Sequence, residues 1–164
     1  LTELNFIMMY EQRKQQELAI ILEEIAAGDG GTSTVVSVNN CPVCSILMAW
    51  ANDAQKERWL KPLARGEMLG AFCLTEPHVG SQADGLKTTA VRDGNDYVLN
   101  GVKQFITSGK HGDVAIVMAV TDTAAGKRGI PVFELVVAEG AAAGQFGLVA
   151  PAGHVAAAAS MGGQ

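Results

Sequence analysis

Apolar side chains recur at three- and four-residue steps near the N-terminus: Leu4, Ile7 and Met8, then Leu18, Ile21, Leu22 and Ile25. That period predicts an amphipathic helix. Gly28, Gly30 and Gly31 stop it, and Thr32 or Ser33 can cap a second helix. Pro42 is tolerated in a first turn, so residues 43–51 read as a short, largely buried helix. Asp53 is a candidate N-cap for a helix over 54–60, which Pro62 and Gly66 bring to a close.

From about Met68 the pattern changes. Residues 69–75, 87–92, 97–100, 102–107, 114–121 and 130–137 are short runs with β-branched or aromatic content. Turn residues separate them: Asp93-Gly94-Asn95-Asp96, Asn100-Gly101, Ser108-Gly109 and the loop over 121–129. Asn100-Gly101 between two such runs predicts a hairpin. Six short strands with no helical segment between them predict an antiparallel barrel or sandwich. The expected fold is therefore α+β: N-terminal α-helices over 1–66, then a small antiparallel β-barrel or sandwich domain over 67–137. Residues 138–164 are rich in Ala and Gly, with Glu139 their only formally charged residue. They are expected to form a tail outside the fold, although Ala156 to Ala159 can turn helical locally.

The chain has 164 residues, 48% of them hydrophobic, which is enough for one domain, or for a small domain with part of another, around a buried core. A formal charge of −5 and the lack of a Lys/Arg cluster exclude a general nucleic-acid binder. The apolar runs are too short to span a bilayer, and the first residues lack a basic-then-apolar signal pattern. Three cysteines, an odd number, do not suggest a disulfide framework, so a reducing compartment rather than the outside is expected. Cys41-Pro42-Val43-Cys44 has the spacing of a redox or zinc half-site, but no second Cys/His pair follows. The cysteines read as small buried residues, and no metal is expected.

Candidate chemistry lies in two segments. Phe72-Cys73-Leu74-Thr75-Glu76-Pro77-His78-Val79-Gly80-Ser81 and Phe105-Ile106-Thr107-Ser108-Gly109 are each an apolar run ending in threonine, then turn residues. A strand delivers a hydroxyl and free backbone N–H groups to a ligand in that way. Two such ends side by side would form a polar ledge in an apolar wall, suited to a flat, partly polar cofactor ring.

These segments, with Tyr97-Val98-Leu99-Asn100-Gly101 and Lys103 between them, resemble the middle domain of the acyl-CoA dehydrogenases. Ser37-Val38-Asn39-Asn40 and the stretch from Gln55-Lys56 to Gly66-Glu67 are similar to the end of that family's N-terminal helical domain. The resemblance runs from about Thr32 to Val137. It implies an FAD-dependent oxidoreductase of fatty acid metabolism that dehydrogenates acyl-CoA thioesters across the α,β bond. It further implies a homotetramer at full length and an electron-transferring flavoprotein as partner. Phe72, Cys73, Leu74, Thr75, Ser81, Phe105, Ile106 and Thr107 would then line FAD. Thr75 would hydrogen-bond the isoalloxazine edge, Phe105 would pack near the ring, Thr107 would reach towards N5, and Ser81 would also face acyl-CoA.

His78 and Val79 stand where the family has small residues, Gln82 where it has aspartate, and Phe105 where it commonly has tryptophan. These departures bear on substrate preference more than on the cofactor. The family's catalytic base belongs to a helical C-terminal domain that this sequence is not expected to contain, so no catalytic residue is assigned. Glu76 reads as bonding its own turn, and Glu134 as a solvent-facing strand position. His78, His111 and His154, and the Lys127-Arg128 pair, read as loop residues. The alternative expectation is a non-catalytic β-domain module that binds nucleotide or packs against other subunits.

Overall fold

The N-terminal apolar period gives α1, Glu3–Gly28, followed by α2, Gly30–Val38. The computed structural model describes residues 3–94, 96–122, 132–139 and 153–155, by backbone alone at 3–15, 96, 122, 132–139 and 153–155. The Lys127-Arg128 pair and residues 156–159 lie outside them, as does the side chain of Glu134. Two compact units divide the chain, Leu1–Ser37 and Val38–Gln164.

In the first unit the cap of α2 is Asp29, not Thr32 or Ser33: the Thr32 N–H donates to Asp29 Oδ1. The hydrogen bonds from Thr32 also lower the Asp29 pKa. Ser33 Oγ instead donates to the Leu22 carbonyl at 2.9 Å, tying α2 back to α1. Leu18, Leu22 and Ile25 are half-buried, whereas Ile21 is exposed along with Ile20.

The second unit begins in helices. A wide, π-helical turn over Asn39–Cys44 breaks at Cys41, whose backbone is extended, and leads into α3, Ser45–Trp50. Asn52 then caps the next helix, one position earlier than Asp53, because Asn52 is extended while Asp53 is already helical. Its Oδ1 accepts from the Gln55 N–H at 2.9 Å, and Gln55 Oε1 accepts from the Asn52 N–H at 2.9 Å. From α4, Asp53–Gln55, the chain continues through a second π-helical turn, Lys56–Leu60, into α5, Lys61–Arg65. Pro62 sits in the first turn of α5, where a missing N–H costs nothing, so the helix runs through it. Gly66, at φ 71°, ends it. No helix among the described residues is long and apolar enough to cross a membrane.

The sheet follows: β1, Gly70–Cys73; β2, Thr89–Asp93; β3, Asp96–Asn100; β4, Val114–Asp122; β5, Val132–Glu139; and β6, Gly153–Val155. The α+β architecture, helices then a small β domain, is as expected, but the sheet is mixed. β1 pairs with β4 in parallel, Gly70 opposite Val114 to Cys73 opposite Val117, and β2 meets β4 in parallel at Thr89 and Val120. The long excursion between β1 and β4 gives the chain room to return in the same direction. β2–β3, β3–β6 and β4–β5 are antiparallel. β5 follows one edge of β4 along its whole length, so β1 and β2 share the other. Gly153–Val155, from the segment expected to be a tail, pairs with Tyr97–Leu99 of β3.

Two departures concern residues 97–107. Asn100-Gly101 is not a hairpin turn; the β2–β3 hairpin turns at Asp93-Gly94. A Cβ at Gly101 would lie 2.3 Å from Thr88 Oγ1 and 2.7 Å from Thr88 Cα, so glycine is needed for a close crossing. Residues 102–107 form no strand, because Phe105 adopts φ 57° and interrupts the extended backbone.

β1 and β4 are buried on both faces, which is why they read as nearly continuous apolar runs. Phe72, Val114 and Ile116 face the helices and pack with Val43, Leu47, Trp59 and Leu63. Ala71, Cys73, Ala115, Val117 and Ala119 face the other way, towards Ala90, Tyr97 and Leu99. Each fully buried Leu, Ile or Val contributes about 1.5–3 kcal/mol. Asn39 stitches the first layer together: its Oδ1 accepts from the Gly70 N–H at 2.8 Å and its Nδ2 donates to the Leu63 carbonyl at 3.2 Å. The start of β1 is thereby fixed against the end of α5.

Candidate functional site

β1 leaves the sheet after Cys73, and the next residues form a narrow turn. The Glu76 N–H donates to the Val79 carbonyl at 2.9 Å and the Val79 N–H to the Glu76 carbonyl at 3.1 Å. Inside that turn the Glu76 side chain is 2% exposed, a carboxylate that must be compensated. It accepts from the Lys87 N–H at 2.8 Å, the Thr88 N–H at 3.0 Å and Lys103 Nζ at 2.8 Å. His78 Nε2, on the outside of the turn, lies 3.4 Å from its other side. Burial opposes ionisation of Glu76, but the hydrogen bonds from Lys103, Thr88 and Lys87 outweigh it and hold the carboxyl at about 2. Burial pulls the Lys103 pKa down, and Glu76 works against that pull.

Lys103 also donates to the Leu74 carbonyl at 2.9 Å, while the Gln104 N–H donates to the Thr75 carbonyl at 2.9 Å and Gln104 Nε2 to the Glu76 carbonyl at 3.3 Å. These bonds lay residues 103–104 along residues 74–76. The two threonine-ended segments are therefore brought side by side. Just beyond the last rivet, Phe105 turns left-handed, and the residue stands 88% exposed. Ile106 turns inward and packs on the core of Ala71 and Cys73. Thr107 is half-buried, and a turn closed by the Gly109 N–H on the Ile106 carbonyl, 3.0 Å, carries the chain back to β4.

The other expected site residues fall as follows. Phe72 packs among the helices, and Cys73 is fully buried, its thiol pushed up to about 12 by burial. Leu74 and Thr75 are half-buried. Ser81 is exposed beyond the turn and makes no hydrogen bond to Thr75 or to residues 105–107 among the described residues. Glu76 and Lys103 were read only as a turn residue and a motif residue. Their partnership is invisible locally, since 27 residues separate them. The one available signal was a lysine set in an otherwise apolar, β-rich run.

The result is a ledge. The Thr75 and Thr107 hydroxyls, and the N–H groups of Thr75, Ile106 and Thr107, make no hydrogen bond to any described residue. Beside them stands a bare aromatic face. This donor set and surface fit a flat heteroaromatic ring with carbonyl groups along one edge. A metal centre is a different matter: no group of three His, Cys, Asp or Glu among the described residues could hold an ion.

Residues 71–153 match the family model described as acyl-CoA dehydrogenase, middle domain, and residues 12–67 match acyl-CoA dehydrogenase, N-terminal domain. A short-chain specific acyl-CoA dehydrogenase of Clostridium acetobutylicum is 38% identical over 114 residues, covering 70% of this chain and 30% of that protein. The crystal structure of an acyl-CoA dehydrogenase from Geobacillus kaustophilus is similar at TM-score 0.68 and 34% identity, over 74% of this chain and 32% of that one. A glutaryl-CoA dehydrogenase from Mycobacterium smegmatis in complex with FADH2 is similar at TM-score 0.64 and 37% identity, over 72% of this chain and 28% of that one. The chain spans 30% of the length of the Clostridium relative.

Proposed function

The chain belongs to the acyl-CoA dehydrogenase family, and from that premise we propose that it is the FAD- and acyl-CoA-binding part of an enzyme that dehydrogenates acyl thioesters. The observation that carries the reading is the pairing of Thr75 with residues 105–107 through the Gln104 N–H. The relative in complex with FADH2 supports the choice of cofactor.

Phe105 offers its exposed ring as a wall for the isoalloxazine. Thr75 and Thr107 direct hydroxyl and N–H donors at its polar edge, backed by Leu74 and Ile106. Phe72 and Cys73 shape the wall from behind, because their side chains are turned into the two cores. Ser81 is exposed on the following loop, and in this reading it meets the acyl-CoA. A flavin held there would supply the acceptor for the substrate's β-hydride, with the α-proton passing to a base. The donors matter because reduction puts negative charge on the ring edge they face, and preorganised dipoles stabilise it without reorganisation. Electron-transferring flavoprotein as electron acceptor and a homotetrameric assembly complete the reading by family membership.

Glu76 is not the base. Its carboxylate is committed to Lys103 and two backbone N–H groups and stays ionised, too weakly basic to take an α-proton. A second reading, a module that binds nucleotide without turnover, is favoured by that commitment. Titrating the chain with FAD, desalting and recording the visible spectrum tests the binding claim: retained flavin bands are expected. Thioester dehydrogenation with an artificial electron acceptor is expected to be slower by about a hundred- to ten-thousand-fold than in an enzyme with its base. Turnover at an ordinary rate would show that a base within this chain had been overlooked.

A further inference from the structure

Among the described residues Lys103 Nζ donates to Glu76 Oε1 at 2.8 Å and to the Leu74 carbonyl at 2.9 Å, and its side chain is 0% exposed. A buried ion pair is a poor stabiliser. Apolar side chains of the same volume commonly serve as well or better, because both charges must be stripped of water. What an apolar pair could not do is hold the Leu74 carbonyl. That carbonyl shares one peptide group with the Thr75 N–H, which has no partner among the described residues. An ammonium on the carbonyl polarises the peptide and makes the N–H at its other end a stronger donor. Lys103 also stands two residues before Phe105, so its anchorage decides where the ring and Thr107 arrive. Glu76 in turn fixes the ammonium and ties it to the Lys87 and Thr88 N–H groups.

Resting on the proposal that the ledge receives a flavin, we propose that Glu76 and Lys103 are positioning residues for it: a buried brace that sets the spacing of the two threonine-ended segments and strengthens the Thr75 N–H as a donor.

The test compares Lys103→Met with the double variant Glu76→Gln/Lys103→Met, reading melting temperature, FAD Kd, and hydrogen exchange at the Gln104 amide without FAD. The single variant strands a buried carboxylate and is expected to melt well below the parent chain. The double variant removes both charges and is expected to regain most of that loss. FAD Kd is nevertheless expected to rise about tenfold or more in both, because methionine cannot hold the Leu74 carbonyl. Exchange at Gln104 is expected to speed up about tenfold in the double variant, with β4 amides unchanged. A double variant with parental Kd and parental Gln104 exchange would overturn the brace.

Should the parent chain take no FAD, the functional reading alone falls. The brace is then decided by Gln104 exchange, faster in its favour and unchanged against it. Should the double variant not fold, Glu76→Gln decides, since it keeps the volume and an acceptor oxygen. Faster Gln104 exchange supports the brace there, and parental exchange overturns it.

Discussion

Phe105 combines two costs that a fold does not normally accept together, a left-handed backbone at φ 57° and an aromatic residue 88% exposed to solvent. The backbone conformation costs a non-glycine residue about 1–2 kcal/mol, and the ring gains nothing from burial in this unit. Such outliers concentrate at ligand sites. Phe105→Gly is therefore expected to leave thermal stability unchanged or raise it by up to about 1 kcal/mol, after the extra entropy of an unfolded glycine. FAD affinity is expected to fall. A melting temperature several degrees lower would show that the ring is a packing residue. Glu76 is the opposite case, a charge fully committed to structure. Its folded pKa of about 2 lies below the ordinary 4.5, so the unfolded chain binds more protons between those values. The stability it contributes is present above pH 4.5 and is lost as pH falls towards 2. Acid melts of the parent chain are expected to decline across that window, and those of Glu76→Gln to be flatter; parallel curves would contradict the assignment. At this scale the meeting of the two threonine-bearing segments was legible, because each is an apolar run that gives way to turn residues. The partner of Glu76 was not, because contact between residues 27 apart is a product of topology.

At the scale of elements, most of the segmentation was written in local chemistry. Hydrophobic period found α1, and short β-branched runs found β1 to β5. The misreadings have specific causes. Asp29 and Asn52 cap their helices where neighbouring polar residues were equally good candidates, and only backbone geometry separates them. Residues 102–107 have strand composition, but Lys103 and Gln104 bind the end of β1 side-on and Phe105 breaks the extension. Asn100-Gly101 carried a hairpin signature while its glycine was serving a crossing against Thr88. Gly101→Ala puts a Cβ 2.3 Å from Thr88 Oγ1. It is expected to cost about 1–3 kcal/mol in chemical denaturation, as overpacking does. A loss below about 0.5 kcal/mol would mean the crossing is loose.

Over the whole molecule, a mixed sheet buried on one face by α3 to α5 presents two loop segments at one end of β1. The parallel pairing of β1 with β4 makes this possible. It requires a long return path, and that path holds the Glu76 turn, the β2–β3 hairpin and residues 102–107, which come back to lie on Leu74 and Thr75. Local pattern could not reveal the direction of that pairing, because a strand buried on both faces reads the same in either sense. The central claim is that the ledge of Thr75 and Thr107 receives FAD, and it is tested most directly by titrating FAD into the chain and into Thr75→Val/Thr107→Val. The parent is expected to keep flavin absorbance through desalting. The double variant, nearly isosteric but lacking both hydroxyls, is expected to bind about tenfold or more weakly. No retained flavin in the parent after soaking, or equal affinity in both proteins, would contradict it.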